Sequence, residues 1–279
     1  MRAAAKAIRR EKVVWLLAHL WGQAQVTMRD GKHAESVWIY QLGTAACVMQ
    51  QINARAGDVR CLTLHQLILP GQESGSGLIA CVHAAYGNLP IPDLVYVPGH
   101  TKTFFEVSHQ RFSLPAHEVD FMSPATWAGM LVFAAKQLGS PVENYLLRQR
   151  RLGANMQKSP TAFTESPVST TALCRGFRKY LDDIGQLDGE TCHSFRTGGA
   201  VCLAAAGLHA GQVSAELYQA QATSAYSYMA AHVKPRIPWQ PCPCCKHFLE
   251  DAPAQKLMLE VSEAERRIDA ARAHSNSQA

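Results

Sequence analysis

Hydrophobic positions recur at helical spacing along most of the chain. Val13, Leu16, Leu17 and Leu20 place Lys6–Trp21 in an amphipathic helix with a basic first half. A polar stretch, Gln25–His33, with a turn at Gly31 separates it from a second helix over Glu35–Ala54, which carries Val37, Leu42, Ala45, Cys47 and Ile52. Gly57 and Asp58 open a third, short helix that runs to Leu64. The pattern then changes. Leu67–Leu69, Leu94–Val97, Phe104–Val107 and Arg111–Leu114 are short apolar runs bounded by Gly and Pro, as strands are. Between the first two of these runs, Gly71–Gly77 reads as a flexible Gly/Ser turn.

Helical spacing returns at Pro124–Leu138, with Ser123 as cap and Pro124 in the first turn. Arg148–Pro160 reads as a basic, irregular linker, and Ser169–Ile184 as another amphipathic helix. From His193 the chain predicts a helix over Ser194–Ala206, a break at Gly207, and helices over Gly211–Ala220 and Ser224–Ala231. Pro235, Pro238, Pro241 and Pro243 mark the end of a compact unit. A last helix, Ala254–Ala273, carries Leu257, Val261, Ala264, Ile268 and Ala271 on one stripe. The expected fold class is therefore α+β, mainly helical, with one small antiparallel sheet. The expected domains are 1–234 and a Pro/Cys-rich linker with a C-terminal helix, 235–279.

Composition narrows this only a little. Of 279 residues 47% are hydrophobic and 18% charged, which supports a core and excludes a disordered tail. Lys and Arg exceed Asp and Glu by 27 − 22 = 5, an excess that permits nucleic-acid binding without establishing it. No continuous apolar core follows the basic start, so no secretory signal is expected and the compartment is nucleus or cytoplasm. No apolar run reaches membrane-spanning length.

The chemistry is concentrated in the second half. His193 and Arg196 stand three apart at a helix start and share one face, followed by the small residues Thr197, Gly198, Gly199 and Ala200. Cutting DNA without a metal needs such groups. Two guanidiniums clamp the charged non-bridging oxygens, a His or Lys moves protons, and a phenol attacks the phosphorus.

The string His193-Ser194-Phe195-Arg196-Thr197-Gly198-Gly199-Ala200, with Gly207 at a helix break and Ser224-Ala225-Tyr226-Ser227-Tyr228-Met229 after it, resembles the tyrosine recombinase (phage-integrase) family, catalytic domain. The resemblance covers roughly residues 6–234 and implies a site-specific recombinase that cuts and rejoins DNA through a 3′-phosphotyrosine. Tyr228 is the nucleophile that ungapped spacing selects, with Tyr226 as the competitor. Asn53–Leu62 is similar to the family's first block, in which an Arg precedes an acid by three residues. Arg55 and Asp58 fit it, with Arg60 as the alternative. Lys102, in Gly99-His100-Thr101-Lys102-Thr103, is similar to the turn lysine of recombinases carried by eukaryotic mobile elements, and would protonate the departing 5′ oxygen.

Gln219, beside Tyr218, stands where the family usually places a second His or a Trp. An amide donates a hydrogen bond but is neither acid nor base. The implied catalytic set is Arg55, Lys102, His193, Arg196, Gln219 and Tyr228. Because of Gln219, and because the family's DNA-clamping domain is not seen ahead of residue 6, the alternative is a weakened or inactive DNA-binding remnant. The interval from Arg55 to His193 is long for the family, with the extra chain expected in loops at Gly71–Asn88 and Arg148–Pro167. Implied partners are double-stranded DNA and three further copies of the chain, as a tetramer on two duplexes. No cofactor is implied. The stripe on Ala254–Ala273 suits docking on a neighbour or on its own domain.

Two features stand apart. Arg148, Arg150, Arg151, Arg178 and Lys179, with Arg175 one turn before the last pair, are expected to track DNA phosphates. Cys242-Pro243-Cys244-Cys245-Lys246-His247 is dense in soft ligands. Structural zinc normally takes ligand pairs from two separated segments, and no second pair lies near this one, so the expectation is a Cys-rich linker without metal, with a zinc-dependent interaction module on Cys242–His247 as the alternative.

Overall fold

The computed structural model describes residues 6–72, 77–87, 89–98, 111–151, 162–217, 229 and 237–277. Two long helices form its centre: α1 (Arg10–Arg29) and α2 (His33–Ile52). They make an antiparallel hairpin closed at Gly31, whose φ of +71° is left-handed and suits a residue without Cβ. The first helix was expected to show a polar face and to stop near Trp21. It continues to Arg29, and Val13 to Leu20 are buried without interruption, together with Glu11, Lys12 and His19. A helix covered on every side must pair its polar groups internally. Lys12 does so at 2.7 Å from Glu190.

α5 (Pro124–Gln137) lies on α2 through an aromatic cluster. Trp127 sits 5.0 Å from Trp21 and 6.0 Å from Tyr40, ring to ring, and is fully buried. A Cβ at Gly43 would overlap the Trp127 ring, so glycine is what lets the indole lie flat on α2. Gly43→Ala is expected to cost about 1–3 kcal/mol by overpacking, read as a lower urea midpoint at unchanged slope. Ser123 stands at the expected cap position of α5, but its side chain caps nothing.

A three-stranded antiparallel sheet, β1 (Leu67–Ile68), β2 (Leu94–Tyr96) and β3 (Phe112–Leu114), has Leu67 opposite Tyr96 and Val95 opposite Ser113. The connection from β1 to β2 is not all loop. It contains α4 (Gly77–Gly87), which packs on α5. Sequence reading missed this helix because it is short and apolar all round, so no stripe marks it. The candidate strand Phe104–Val107 lies outside the described residues.

The expected linker begins as a strand, and its residues 152–160 lie outside the described residues. β4 (Arg148–Arg150) pairs antiparallel with β5 (Phe163–Pro167). α6 (Thr170–Asp183) is amphipathic as expected. The Ser169 hydroxyl accepts from Ala172 N at 3.1 Å, and Leu173, Phe177, Tyr180 and Leu181 face the core. α3 (Ala56–Val59), α7 (Cys192–Ala205) and α8 (Ala210–Glu216) overlap the short helices expected there, each starting one or two residues earlier and α3 stopping well before Leu64, with Gly207 at φ +91° between the last two.

Beyond the prolines, α9 (Lys246–Glu250) and α10 (Ala252–Ser277) lie on the same core. Cys245, Ala254, Leu257 and Val261 belong to the cluster built by α1 and α2. α10 docks on α1 and α7 of its own chain. Its buried stripe is Ala254, Leu257, Val261, Glu265 and Ile268, whereas Ala271 is exposed. Glu265 is inside because Arg9 Nη1 meets it at 2.5 Å and the Arg10 amide at 2.7 Å, while Arg9 Nη2 reaches Asp269 at 2.7 Å. The chain is thus mainly helical with a small antiparallel sheet. Among the described residues, no helix is long and apolar enough to cross a membrane.

Candidate functional site

α7 begins with a reciprocal cap. The Thr191 hydroxyl accepts from His193 N at 3.2 Å, and Ser194 Oγ accepts from Thr191 N at 3.0 Å. This fixes the first turn, and with it His193 and Arg196 on one face. Phe195 takes the opposite side and packs on Phe177 at 5.1 Å.

The small residues after Arg196 set how deeply α7 sits. A Cβ at Gly198 would overlap the carbonyl oxygen of Ile8, and one at Gly199 the side chain of Asn53. The Ile8 amide also donates to Ser194 O at 3.1 Å. α7 is therefore wedged between the N-terminal segment and the end of α2.

That end carries the first basic residue. Asn53 leaves α2 in the left-handed region, φ +49°, and Arg55 caps α3 in extended conformation. Arg196 Nη1 donates to the Asn53 carbonyl at 2.9 Å, two residues from Arg55, and Nη2 donates to the Leu217 carbonyl. Arg196 is 2% exposed, so these two bonds hold a buried cation.

His193 is exposed on one side. Its pKa lies below the usual imidazole value because of partial burial first, then the charge of Arg196, then that of Arg55. Both guanidiniums therefore act on this ring, which is neutral at pH 7 and can take a proton. Arg60, the alternative to Arg55, instead reaches toward the Val168 carbonyl at 3.4 Å.

Arg196 is tied to the Asn53 carbonyl, two residues before Arg55, and the charges of Arg196 and Arg55 both reach the His193 ring. Lys102, Gln219, Tyr228 and the competitor Tyr226 lie outside the described residues. Along the chain, Lys102 falls in the connection between β2 and β3.

The expected phosphate-tracking residues divide. Arg148 is a correction: its side chain is 1% exposed, because it is spent inside the protein. Nη2 donates to Ser140 O at 2.7 Å, Nη1 to Ser140 Oγ at 3.0 Å, and the guanidinium lies over Phe163. Arg150 is half-buried over Trp38, 5.2 Å from the ring centre. Arg151, Arg175, Arg178 and Lys179 are exposed, Lys179 also pairing with Asp183 at 2.7 Å.

The ground for expecting no metal fails as well. The cysteine cluster does have a candidate ligand on a distant segment, His19 of α1, whose Nδ1 is 3.1 Å from Cys242 Sγ. Sequence reading missed it because the two lie 223 residues apart. A lone helical histidine carries no spacing signal. His247, inside the expected cluster, is exposed and lies tilted against the Phe248 ring.

No family model and no curated protein sequence matches the chain.

Proposed function

We propose that this chain is a DNA strand-cutting and rejoining enzyme of the tyrosine-recombinase type, acting on double-stranded DNA as an oligomer. The observation that carries the reading is the meeting of Arg55, His193 and Arg196 across 138 residues of chain (193 − 55), at an α7 start whose motif resembles that family's. Two guanidiniums beside a neutral imidazole suit a phosphodiester: the cations balance charge that grows on the oxygens, and the ring accepts a proton. Tyr228 then attacks phosphorus. The O3′–P linkage stays with the tyrosine, the P–O5′ bond breaks, and Lys102 protonates the 5′ oxygen. The reverse attack by a 5′ hydroxyl rejoins the strand. Arg151, Arg175, Arg178 and Lys179 are the exposed cations available to hold flanking phosphates.

The test is a panel of nicked suicide duplexes, from which the short 5′ product diffuses away and traps the covalent complex. A protein–DNA adduct that survives denaturing electrophoresis is the expected result. Folded protein that forms none across the panel overturns the reading.

One observation favours a second reading, a DNA-binding remnant without activity. Arg196 is deeply buried and holds two backbone carbonyls, a role a structural arginine fills equally well. That reading, to which Gln219 also leans, predicts salt-sensitive DNA binding with no adduct.

A further inference from the structure

We infer that His19 Nδ1 and the thiolates of Cys242, Cys244 and Cys245 form a structural zinc site that clamps the C-terminal segment onto α1. All four ligand atoms lie within 4.8 Å of one another. Cys242 Sγ is 2.7 Å from Cys244 Sγ and 2.9 Å from Cys245 Sγ, and Cys244 Sγ is 3.6 Å from His19 Nδ1. A tetrahedral zinc site with Zn–S bonds of about 2.3 Å has edges of roughly 3.8 Å, so the sulfurs need to spread by about 1 Å to admit the ion. Three soft thiolates and an imidazole select zinc over calcium or magnesium, which take oxygen ligands. Four protein ligands close the site, which makes it structural rather than catalytic.

Three features outside the ligand set point the same way. A Cβ at Gly22 would overlap the Cys244 carbonyl oxygen, and Gly22 is one helical turn from His19 on the same face. Glycine there lets the cysteine turn reach the depth of the histidine. That turn is itself hydrogen-bonded, with Cys245 N and Lys246 N both donating to Cys242 O at 3.1 and 3.0 Å. Gln23 Nε2 donates to Cys244 Sγ at 3.4 Å, the type of outer contact that steadies a metal-bound thiolate.

His19 supplies the energetic argument. It is 4% exposed, its Nε2 has no hydrogen-bond partner among the described residues, and its Nδ1 meets only cysteine sulfur. An imidazole buried with so little polar company is costly, and a metal bond offsets that cost. The clamp also explains why a Pro-rich segment stays on the core. Trp239 stacks on Trp15 at 5.0 Å on one side of the cysteines, and α9 and α10 begin on the other.

The experiment uses the full chain, expressed with zinc in the medium and purified reduced without chelators. Elemental analysis is expected to find about one zinc per chain, the stoichiometry of a single closed site. Cys244→Ser and His19→Ala are expected to lose most of it, and His247→Ala to retain it. Because a ligand variant can fail to fold, the unmutated chain carries a second readout. Exchange of the metal for cobalt is expected to give the visible absorption of tetrahedral thiolate coordination. Chelation should lower the melting temperature, with recovery on adding zinc and not magnesium. Folded, reduced protein with no zinc and no tetrahedral cobalt spectrum overturns the inference. So does iron bound in zinc's place, or a disulfide among the three cysteines in freshly purified protein.

Discussion

Glu190→Ala is expected to be among the most destabilising single substitutions in this protein, costing about 3–5 kcal/mol. Lys12 and Glu190 are 4% and 5% exposed at the side chain and 2.7 Å apart. Without the carboxylate, the Lys12 ammonium keeps one acceptor, the Gln186 carbonyl at 3.0 Å, inside a helix with no route to water. Glu190 also accepts from the Asp188 amide at 2.5 Å, so the same change loosens the turn that leads into the cap of α7. Against a total stability of about 5–15 kcal/mol, the melting temperature should fall on the order of 10 °C. Lys12→Met combined with Glu190→Met removes both charges and should recover most of the loss, since the penalty comes from the unpaired cation rather than the missing pair. A double variant no more stable than Glu190→Ala would show that the ion pair is not the cause.

That ion pair also marks where sequence reading reaches its limit. The helices over Glu35–Ala54, Pro124–Leu138 and Ser169–Ile184 were legible because an apolar stripe of period 3.6 is a local property. α6 even shows its Ser169 cap. Lys12 and Arg148 look like surface cations because nothing near them in sequence says otherwise. Glu190 stands 178 residues from Lys12, and Arg148 is held by Ser140, 8 residues before it, and by Glu165, 17 residues after it across the β4–β5 pair. Whether a charge is buried depends on those partners and not on its own neighbourhood. α4 failed for the opposite reason: without a polar side, a short apolar helix resembles any apolar run.

The candidate site divides along the same line. His193 and Arg196 were legible because three residues on a capped helix fix their common face. Arg55 was placed by resemblance of its block, and the left-handed turn at Asn53 now gives that placement a cause, by carrying the backbone under Arg196. His19 was illegible. A cysteine cluster does not say whether, or where on α1, a histidine will come to lie against it.

On the proposed reaction, the arginines and Tyr228 separate catalysis from architecture. Tyr228→Phe removes only the phenolic oxygen, so adduct formation should vanish while binding to duplex DNA persists. Arg55→Ala should slow adduct formation by about 10²–10³-fold, the usual loss when one preorganised donor to a developing charge is removed, with little change in melting temperature because Arg55 is only partly buried. Arg196→Ala should do both. It removes a guanidinium from the phosphate and strands the Asn53 and Leu217 carbonyls, costing about 1–3 kcal/mol for each acceptor left buried and unmet. Arg196→Lys keeps the charge but cannot span two carbonyls and a phosphate together, so it should stay inactive while regaining part of the stability. The comparison that decides between enzyme and remnant is Arg55→Ala. A rate loss without a stability loss assigns the two cations to chemistry. A folded protein whose DNA affinity and adduct yield ignore Arg55 leaves Arg196 as a structural tie and the site as a relic of the fold.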